Sequence, residues 1–299
     1  MILCVAANPS IDRLFEVERL VPGSIHRPAD FVQVAGGKGL NVARAAAKLG
    51  GRVQAAALLG GHAGRWIAEQ LEDEEIELHS AWAGAETRSS LSVAGAIEDG
   101  LTEFYEHGFP VEAEEWEAFS GLVLRLAPAA GWTTISGSLP SGAPGDGYLP
   151  MIRASSAALD TREPGIEARP RVVKLNAEEA SSVLGRQVRG LVEAGDAART
   201  LHEATGGTAV VTAGREGAAL VEPDGRLLTG RIDAVGRYPV GSGDAFLAGL
   251  AVALDGGAGW RDALALALGA ATANAELPGA GVLDPARARE LAAAAAISP

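Results

Sequence analysis

A single cysteine, Cys4, among 299 residues leaves no partner for an internal disulfide and too few thiols for a thiolate-held zinc ion. A reducing, cytoplasmic setting is therefore expected. Cations are also scarce: 25 Lys and Arg stand against 38 Asp and Glu, a formal net charge of −13. Nucleic-acid binding needs a basic stripe along the phosphate backbone, and this balance does not supply one. Any phosphate the chain holds must be met by a few local cations. The opening MILCVAANPSIDR lacks a basic leader and an apolar stretch of signal length, so ILCVA reads as a buried strand. The run ALALALGAATANA, between Asp262 and Glu276, is 13 residues long, which makes it a core helix and leaves no expected membrane span. No Pro/Ser linker, low-complexity tract or evident repeat divides the chain, so residues 1–299 read as one principal domain carrying an insertion.

At 47% hydrophobic the chain can bury a sizeable core. WTTISG (132–137), RVVKLN (171–176) and TAVVTAG (208–214) are apolar runs ending in polar or glycine positions, the pattern of parallel strands buried on both faces. Trp116, Phe119, Val123 and Leu126 recur at helical steps between such runs. Alternation of strand and helix predicts an α/β protein with a doubly wound open sheet. Two stretches break the rhythm, RLFEVERLVPGSIHRPADFVQVAGG and RSSLSVAGAIEDGLTEFYEHG, with turn signals at Pro22-Gly23 and Asp99-Gly100. They read as hairpins that build a small antiparallel sheet at one edge of the core, equally an ordinary edge sheet or a lid.

Two glycine-rich turns lead directly into helices. In AGGKGLNVARAAAKLG, Gly36, Gly37 and Gly39 surround Lys38, and Asn41 follows; the free amides of such a helix start suit an anion or sugar hydroxyls. A Walker A loop is excluded because Gly39 follows the lysine, and no G-x-G-x-x-G occurs in the chain. In YPVGSGDAFLAGL, Gly241 and Gly243 flank Ser242, and Asp244 enters the first turn of a helix. An Asp there is an ordinary capping residue. It is also where a base would stand if the turn's amides held a transferring phosphoryl group.

In this order the two motifs resemble those of the ribokinase-like (PfkB) carbohydrate kinases, over nearly the whole chain. The resemblance implies a three-layer αβα doubly wound sheet with a small β-sheet lid, the lid segments lying at about 12–35 and 87–106. It assigns Asp244 as catalytic base and the amides of Gly241, Ser242 and Gly243 as the anion hole. KLNAEEA is similar to the family's Mg²⁺-positioning motif, which points to Asn176 and Glu179 acting through water, with Lys174 beside the nucleotide. TAGREGA, with Thr212, Gly214 and Gly217, resembles the nucleotide-binding turn, and ATANAELPGAGVLD, with Asn274, the stretch near the adenine. NPSID, HR before the first glycine motif, TR at 87–88 and ISGSLPSG resemble the 1-phosphofructokinase and tagatose-6-phosphate kinase branch. There the arginines matching Arg27 and Arg88 contact the acceptor's phosphate, while Asp12, Gly36, Gly37, Asn41 and Ser138 line the sugar and Lys38 assists nearby. Two guanidiniums suit a phosphate dianion in an acidic protein. The implied activity is ATP-dependent phosphorylation of a ketohexose phosphate, fructose 1-phosphate above tagatose 6-phosphate or fructose 6-phosphate, with Mg²⁺ as cofactor. Lid pairing between two chains implies a homodimer.

The chain departs from the branch in three places. Leu175 replaces the proline of K-P-N, which is expected to alter a turn more than the metal site; His26 replaces the asparagine before the arginine; and residues 148–174 are short enough to abbreviate one crossover. Competing readings are a kinase of a free sugar or nucleoside, which leaves the two arginines without a task, and a non-catalytic sensor, which leaves Asp244, Asn176 and Glu179 without one. A nicotinamide dehydrogenase lacks its dinucleotide fingerprint. His62, His79, His107 and His202 show no metal-binding spacing and read as surface or capping residues, and EQLEDEEIE as a solvated helix end.

Overall fold

The computed structural model describes every residue except 29, 96–100, 109 and 164. Its centre is β1 (Ile2–Ala6), all of whose residues are buried. Side chains alternate between the faces of a strand. Here Ile2, Cys4 and Ala6 enter one core while Leu3 and Val5 enter another, so the run has no polar face. β1 is flanked in parallel by β4 (Val53–Gly60) and β8 (Trp132–Ser136). The sheet continues through β5 (Glu77–Ala83) on the β4 side, and through β9 (Ala157–Asp160), β10 (Val172–Asn176) and β11 (Thr208–Thr212) on the other. An antiparallel wing of β12 (Ala218–Val221), β13 (Leu227–Arg231) and β14 (Ala296–Ser298) completes ten strands. The three runs read as parallel strands are parallel strands, each trimmed at a polar or glycine end.

The chain steps from β1 to β4 to β5, then crosses back to β8, and this reversal puts helices on both faces. One face carries α1 (Lys38–Lys48), α2 (Gly61–Asp73), α7 (Ser242–Asp255), α8 (Trp260–Glu276) and α9 (Pro285–Ala293). The other carries α3 (Ala113–Leu126), α4 (Leu149–Arg153), α5 (Ala177–Leu184) and α6 (Gly190–Thr205). Trp116, Phe119 and Val123 of α3 are buried at the expected helical steps. ALALALGAATANA lies within α8, and no helix among the described residues is long and apolar enough to cross a membrane. The 148–174 stretch, expected to be abbreviated, keeps the strand β9 and the short helix α4, and among the described residues only the single turn Ile166–Ala168 stands between β9 and β10. Leu175 alters no turn: it is a buried ladder residue of β10 opposite Val211.

The two hairpins form a second sheet of four strands, with β2 (Ser10–Val17), β3 (Phe31–Gly36), β6 (Arg88–Gly95) and β7 (Leu101–Tyr105) in the order β3-β2-β6-β7. Each hairpin is antiparallel, but the central pair β2·β6 is parallel, so the expected all-antiparallel sheet is corrected to a mixed one. The cause lies in the core: β2 follows β1 and β6 follows β5, two strands that point the same way. Pro22-Gly23 forms its turn, with Ser24 N–H donating to Val21 O. Asp99-Gly100 lies outside the described residues.

Arg44 of α1, fully buried, joins the small sheet to the rest. Its guanidinium donates to Ala35 O at the end of β3 (2.5 Å), to Ala280 O (3.1 Å) and to Glu74 Oε1 (2.8 Å). Glu74, read as part of a solvated helix end, is therefore the counter-ion of a buried cation. Gly39 lets α1 dock on β1: a Cβ there would lie 2.3 Å from Val5 O and 2.7 Å from Ala6 Cα. Main-chain neighbours cannot move aside, so Gly39→Ala should destabilise the fold by about 1–3 kcal/mol or more. Gly145→Ala, with open space around the new methyl, should be near neutral. Thermal melts of the two variants check this, and equal melting temperatures would contradict it.

Candidate active site

Ligands of open α/β sheets sit beyond the carboxyl ends of the strands, where the order reverses. The same edge here opens into a cavity of about 1840 Å³ between the main sheet, the small sheet and the start of α7. The strand ends deliver its polar groups: Asn8 after β1, Ser138 after β8, Asn176 closing β10 and Thr212 closing β11, while Asp160, closing β9, is buried behind Lys38 and Lys174.

The loop to α7 turns at Gly241, whose φ of 81° is left-handed and whose Cβ would fall 2.6 Å from Ala280 Cα. Only glycine fits that approach. Ser242 N–H is committed to Pro239 O at 3.1 Å, which removes it from the expected trio of anion-binding amides. Gly243 lies in the first helical turn, where no carbonyl stands four residues back within the helix, so its amide keeps the anion-facing character of a helix start. Asp244 is buried beside it and accepts from Asn41 Nδ2 at 2.9 Å. Asn41 Oδ1 is buried without a hydrogen-bond partner among the described residues.

Beneath this turn four charges alternate. Lys174 Nζ donates to Asp160 Oδ2 at 2.9 Å, and Lys38 Nζ bridges Asp160 Oδ1 at 3.2 Å and Glu179 Oε1 at 2.7 Å. Burial pushes the Asp160 carboxyl up, but Lys174 and Lys38 outweigh it and hold it below its ordinary value. Burial likewise pulls the Lys38 ammonium down, and Asp160, Asp244 and Glu179 reverse this, leaving Lys38 firmly protonated. Asp244 is the carboxylate left over. Burial raises it, Lys38 lowers it only in part and Asp160 raises it again, which brings its pKa to about 7.

Asn176 and Glu179 are tied into a capping box that starts α5: Asn176 Oδ1 accepts from Glu179 N–H at 2.8 Å, and Glu179 Oε2 from Asn176 N–H at 2.9 Å. No cluster of three or more His, Cys, Asp or Glu suited to a metal occurs among the described residues. This donor set does not form a direct cage, but it suits a hard divalent ion that keeps its waters and leans on one or two carboxylates and a ligand's phosphates.

Under the small sheet, Gly37 N–H donates to Asp12 Oδ2 at 3.1 Å. Asn8 Nδ2 donates to Ser138 Oγ at 3.1 Å, and Arg88 Nε to Asn8 Oδ1 at 3.1 Å. Arg88 also reaches Asn8 O, Ser90 Oγ and Glu106 O, and burial lowers its pKa. At the opposite end, Thr212, Gly214 and Gly217 meet an apolar slot walled by Ile232, Val235, Ala271 and Ala275.

The cavity thus collects Asp12, Gly37, Lys38, Asn41, Arg88, Ser138, Lys174, Asn176, Glu179, Thr212, Gly214, Gly217, Gly241, Ser242, Gly243 and Asp244. Three expected residues are not on its wall. Gly36 is covered by the Asp12 side chain, which occupies the space of a Cβ. Arg27 is exposed on the β2–β3 connection, where neighbouring His26 folds back onto Val21. Asn274 faces the protein: Nδ2 donates to Val240 O at 2.9 Å and Oδ1 accepts from Gly281 N–H at 2.8 Å, bracing the glycine turn from behind. Asp160 and Asn8 were not singled out by sequence. The signal for Asp160 is a lone carboxylate closing the apolar run AALD, and for Asn8 a polar residue just past the first strand.

Several solved structures share this architecture. Phosphofructokinase-2 from Escherichia coli, in complex with substrates and products, superposes with a TM-score of 0.89 at 24% identity over 98% of both chains. A possible 1-phosphofructokinase from Thermotoga maritima gives 0.88 at 20% identity, over 99% of this chain and 98% of that one. Arabidopsis thaliana ribokinase complexed with ribose and ATP gives 0.74 at 21% identity, over 97% and 98%. At these identities the likeness fixes the ribokinase-like fold alone. The sequence pattern of the pfkB family of carbohydrate kinases matches residues 2–287, nearly the full length, and the chain belongs to that family.

Proposed function

We propose that the protein transfers the γ-phosphoryl group of ATP to a hydroxyl of a ketohexose phosphate, with fructose 1-phosphate the favoured acceptor. The observation that carries this reading is Asp244, a buried carboxylate with a pKa of about 7 at an anion-facing helix start, in one cavity with Arg88. The acceptor lies under the small sheet against Asp12, Asn41 and Ser138, its phosphate toward Arg88. The nucleotide enters from the side of Thr212 and Gly217, its base in the apolar slot. Asp244 takes the proton of the attacking hydroxyl as that oxygen bonds to the γ-phosphorus and the bond to the ADP oxygen breaks. The Gly243 amide and Lys38 face the charge that develops on the transferring group. Asn176 and Glu179 would hold Mg²⁺ through water, and the ion would neutralise the nucleotide's phosphates.

A second reading has its own support. Four contacts already engage Arg88, and Arg27 stands outside the cavity, as suits a kinase whose acceptor carries no phosphate. The small sheet serves as the lid of either enzyme. Its outer face carries Phe15 edge-on to Phe31 at 5.7 Å, with Leu91 opposite Phe104, and Phe31 and Phe104 are more than half exposed. Such an apolar row on a sheet with open edges is served by a second copy in a two-fold dimer.

Four outcomes are expected. Because Asp244 must be ionised to act, kcat/KM should rise with pH through a single ionisation near pH 7. Asp244→Asn should lower kcat by about 10²–10⁴ with ADP affinity kept, and near-normal turnover would remove the base. In an ADP-release assay over fructose 1-phosphate, fructose 6-phosphate, tagatose 6-phosphate and free sugars, Arg88→Ala should raise acceptor KM about tenfold or more and leave ATP KM unchanged. An unchanged acceptor KM selects the second reading. Sedimentation should show a dimer that Phe31→Glu converts to monomer; a monomeric wild type would end the lid-pairing idea.

A further inference from the structure

Two of the contacts between the small sheet and the main body lie at opposite ends of that sheet. At its base the buried Arg44 holds Ala35 O. At the far end of β2, Glu16 Oε1 accepts a short hydrogen bond from the Tyr238 hydroxyl and lies 3.9 Å from Arg237 Nη1. The Arg237 guanidinium sits 5.4 Å over the Tyr238 ring. Glu16 and Arg237 are about half exposed, so their ion pair alone contributes little. The phenol–carboxylate bond is the stronger member, being assisted by charge.

Tyr238 belongs to the loop that brings Ile232, Val235 and Arg237 to the nucleotide end of the cavity, and it comes just before Gly241. Its own N–H donates to Ala275 O of α8 at 2.9 Å, so the loop is pinned behind while its hydroxyl reaches forward. Glu16 shares a strand face with Leu14 and Asp12, and Asp12 stands at the acceptor end. Leu14, Val32 and Leu101 of the small sheet come together with Tyr238 around a void of only about 20 Å³.

We infer that Glu16 and Tyr238 are positioning residues that couple the two halves of the site, so that a nucleotide ordering the 232–240 loop also orders the sheet that covers the acceptor. Neither touches the reacting atoms. By linkage, an acceptor ordering the sheet must then tighten nucleotide binding by the same factor. The inference rests on the kinase reading for which ligand fills which half, and not on the identity of the sugar.

Hydrogen exchange with and without MgADP tests it in the absence of any acceptor, on the wild type, Glu16→Gln, Tyr238→Phe and the double variant. MgADP should slow exchange in residues 241–255 of all four proteins. In residues 10–17 it should slow exchange by about tenfold in the wild type, the order expected of one charge-assisted bond, and much less in each variant. The double variant should be no worse than either single one, and Tyr238→Phe keeps the ring, so melting temperatures should stay close to wild type. Equal slowing of residues 10–17 in wild type and variants, or none in the wild type, overturns the coupling. A wild type unprotected by MgADP even at 241–255 would overturn the nucleotide reading, and the inference with it.

Discussion

The site depends on a charge balance struck largely out of water, with only Lys38 partly exposed. Asp160 is fully buried at the end of β9 between two lysines, and Lys38 carries the alternation on to Glu179. Removing one member of such a chain leaves an uncompensated buried charge, which costs far more than the intact arrangement contributes. The four groups sum to zero without Asp244. Desolvation raises the Asp244 carboxyl, and because the lysines are already matched by Asp160 and Glu179 they offset this only in part, which leaves it at about 7. The same balance fixes geometry, because it ties the glycine-rich start of α1 to the ends of β9 and β10 and to the first turn of α5.

Around that centre the cavity is divided by chemistry. Hydroxyls, amides and Arg88 face the space under the small sheet; small aliphatic side chains line the far slot; the turn at Gly241–Asp244 stands between. Asn274 and Arg44 touch no part of the space yet shape it. Asn274 holds Val240 O and Gly281 N–H, and Arg44 holds Ala280 O, so the glycine turn rests on a backing with its own polar supports.

The parts legible in the sequence are those governed by short-range rules. Apolar runs gave β1, β8, β10 and β11, helical steps gave α3, and the glycine turns located Lys38, Asn41 and Asp244. What was not legible depends on contacts between distant segments. The parallel pairing of β2 with β6 follows from the directions of β1 and β5. The loss of the Ser242 amide follows from a carbonyl at Pro239 that no motif announces, and Asn274 turns inward because Val240 and Gly281 happen to lie behind it. Asp160 has no signature in the sequence because a single carboxylate in a short strand makes no pattern; its partners Lys38 and Lys174 come from two other elements.

The parallel pair at the centre of the small sheet also bears on how the chain acquires its shape. Ser10 lies opposite Arg88, and β3, α1, β4, α2 and β5 all fall between them in the chain. Neither hairpin can find the other until that intervening material has collapsed, because closing so long a loop carries an entropy cost that a few ladder bonds cannot offset alone. The order of assembly is thus written into the topology. On a ribosome the first hairpin waits with the edge of β2 unpaired until the second emerges, and that interval is when the nascent chain is most open to mispairing.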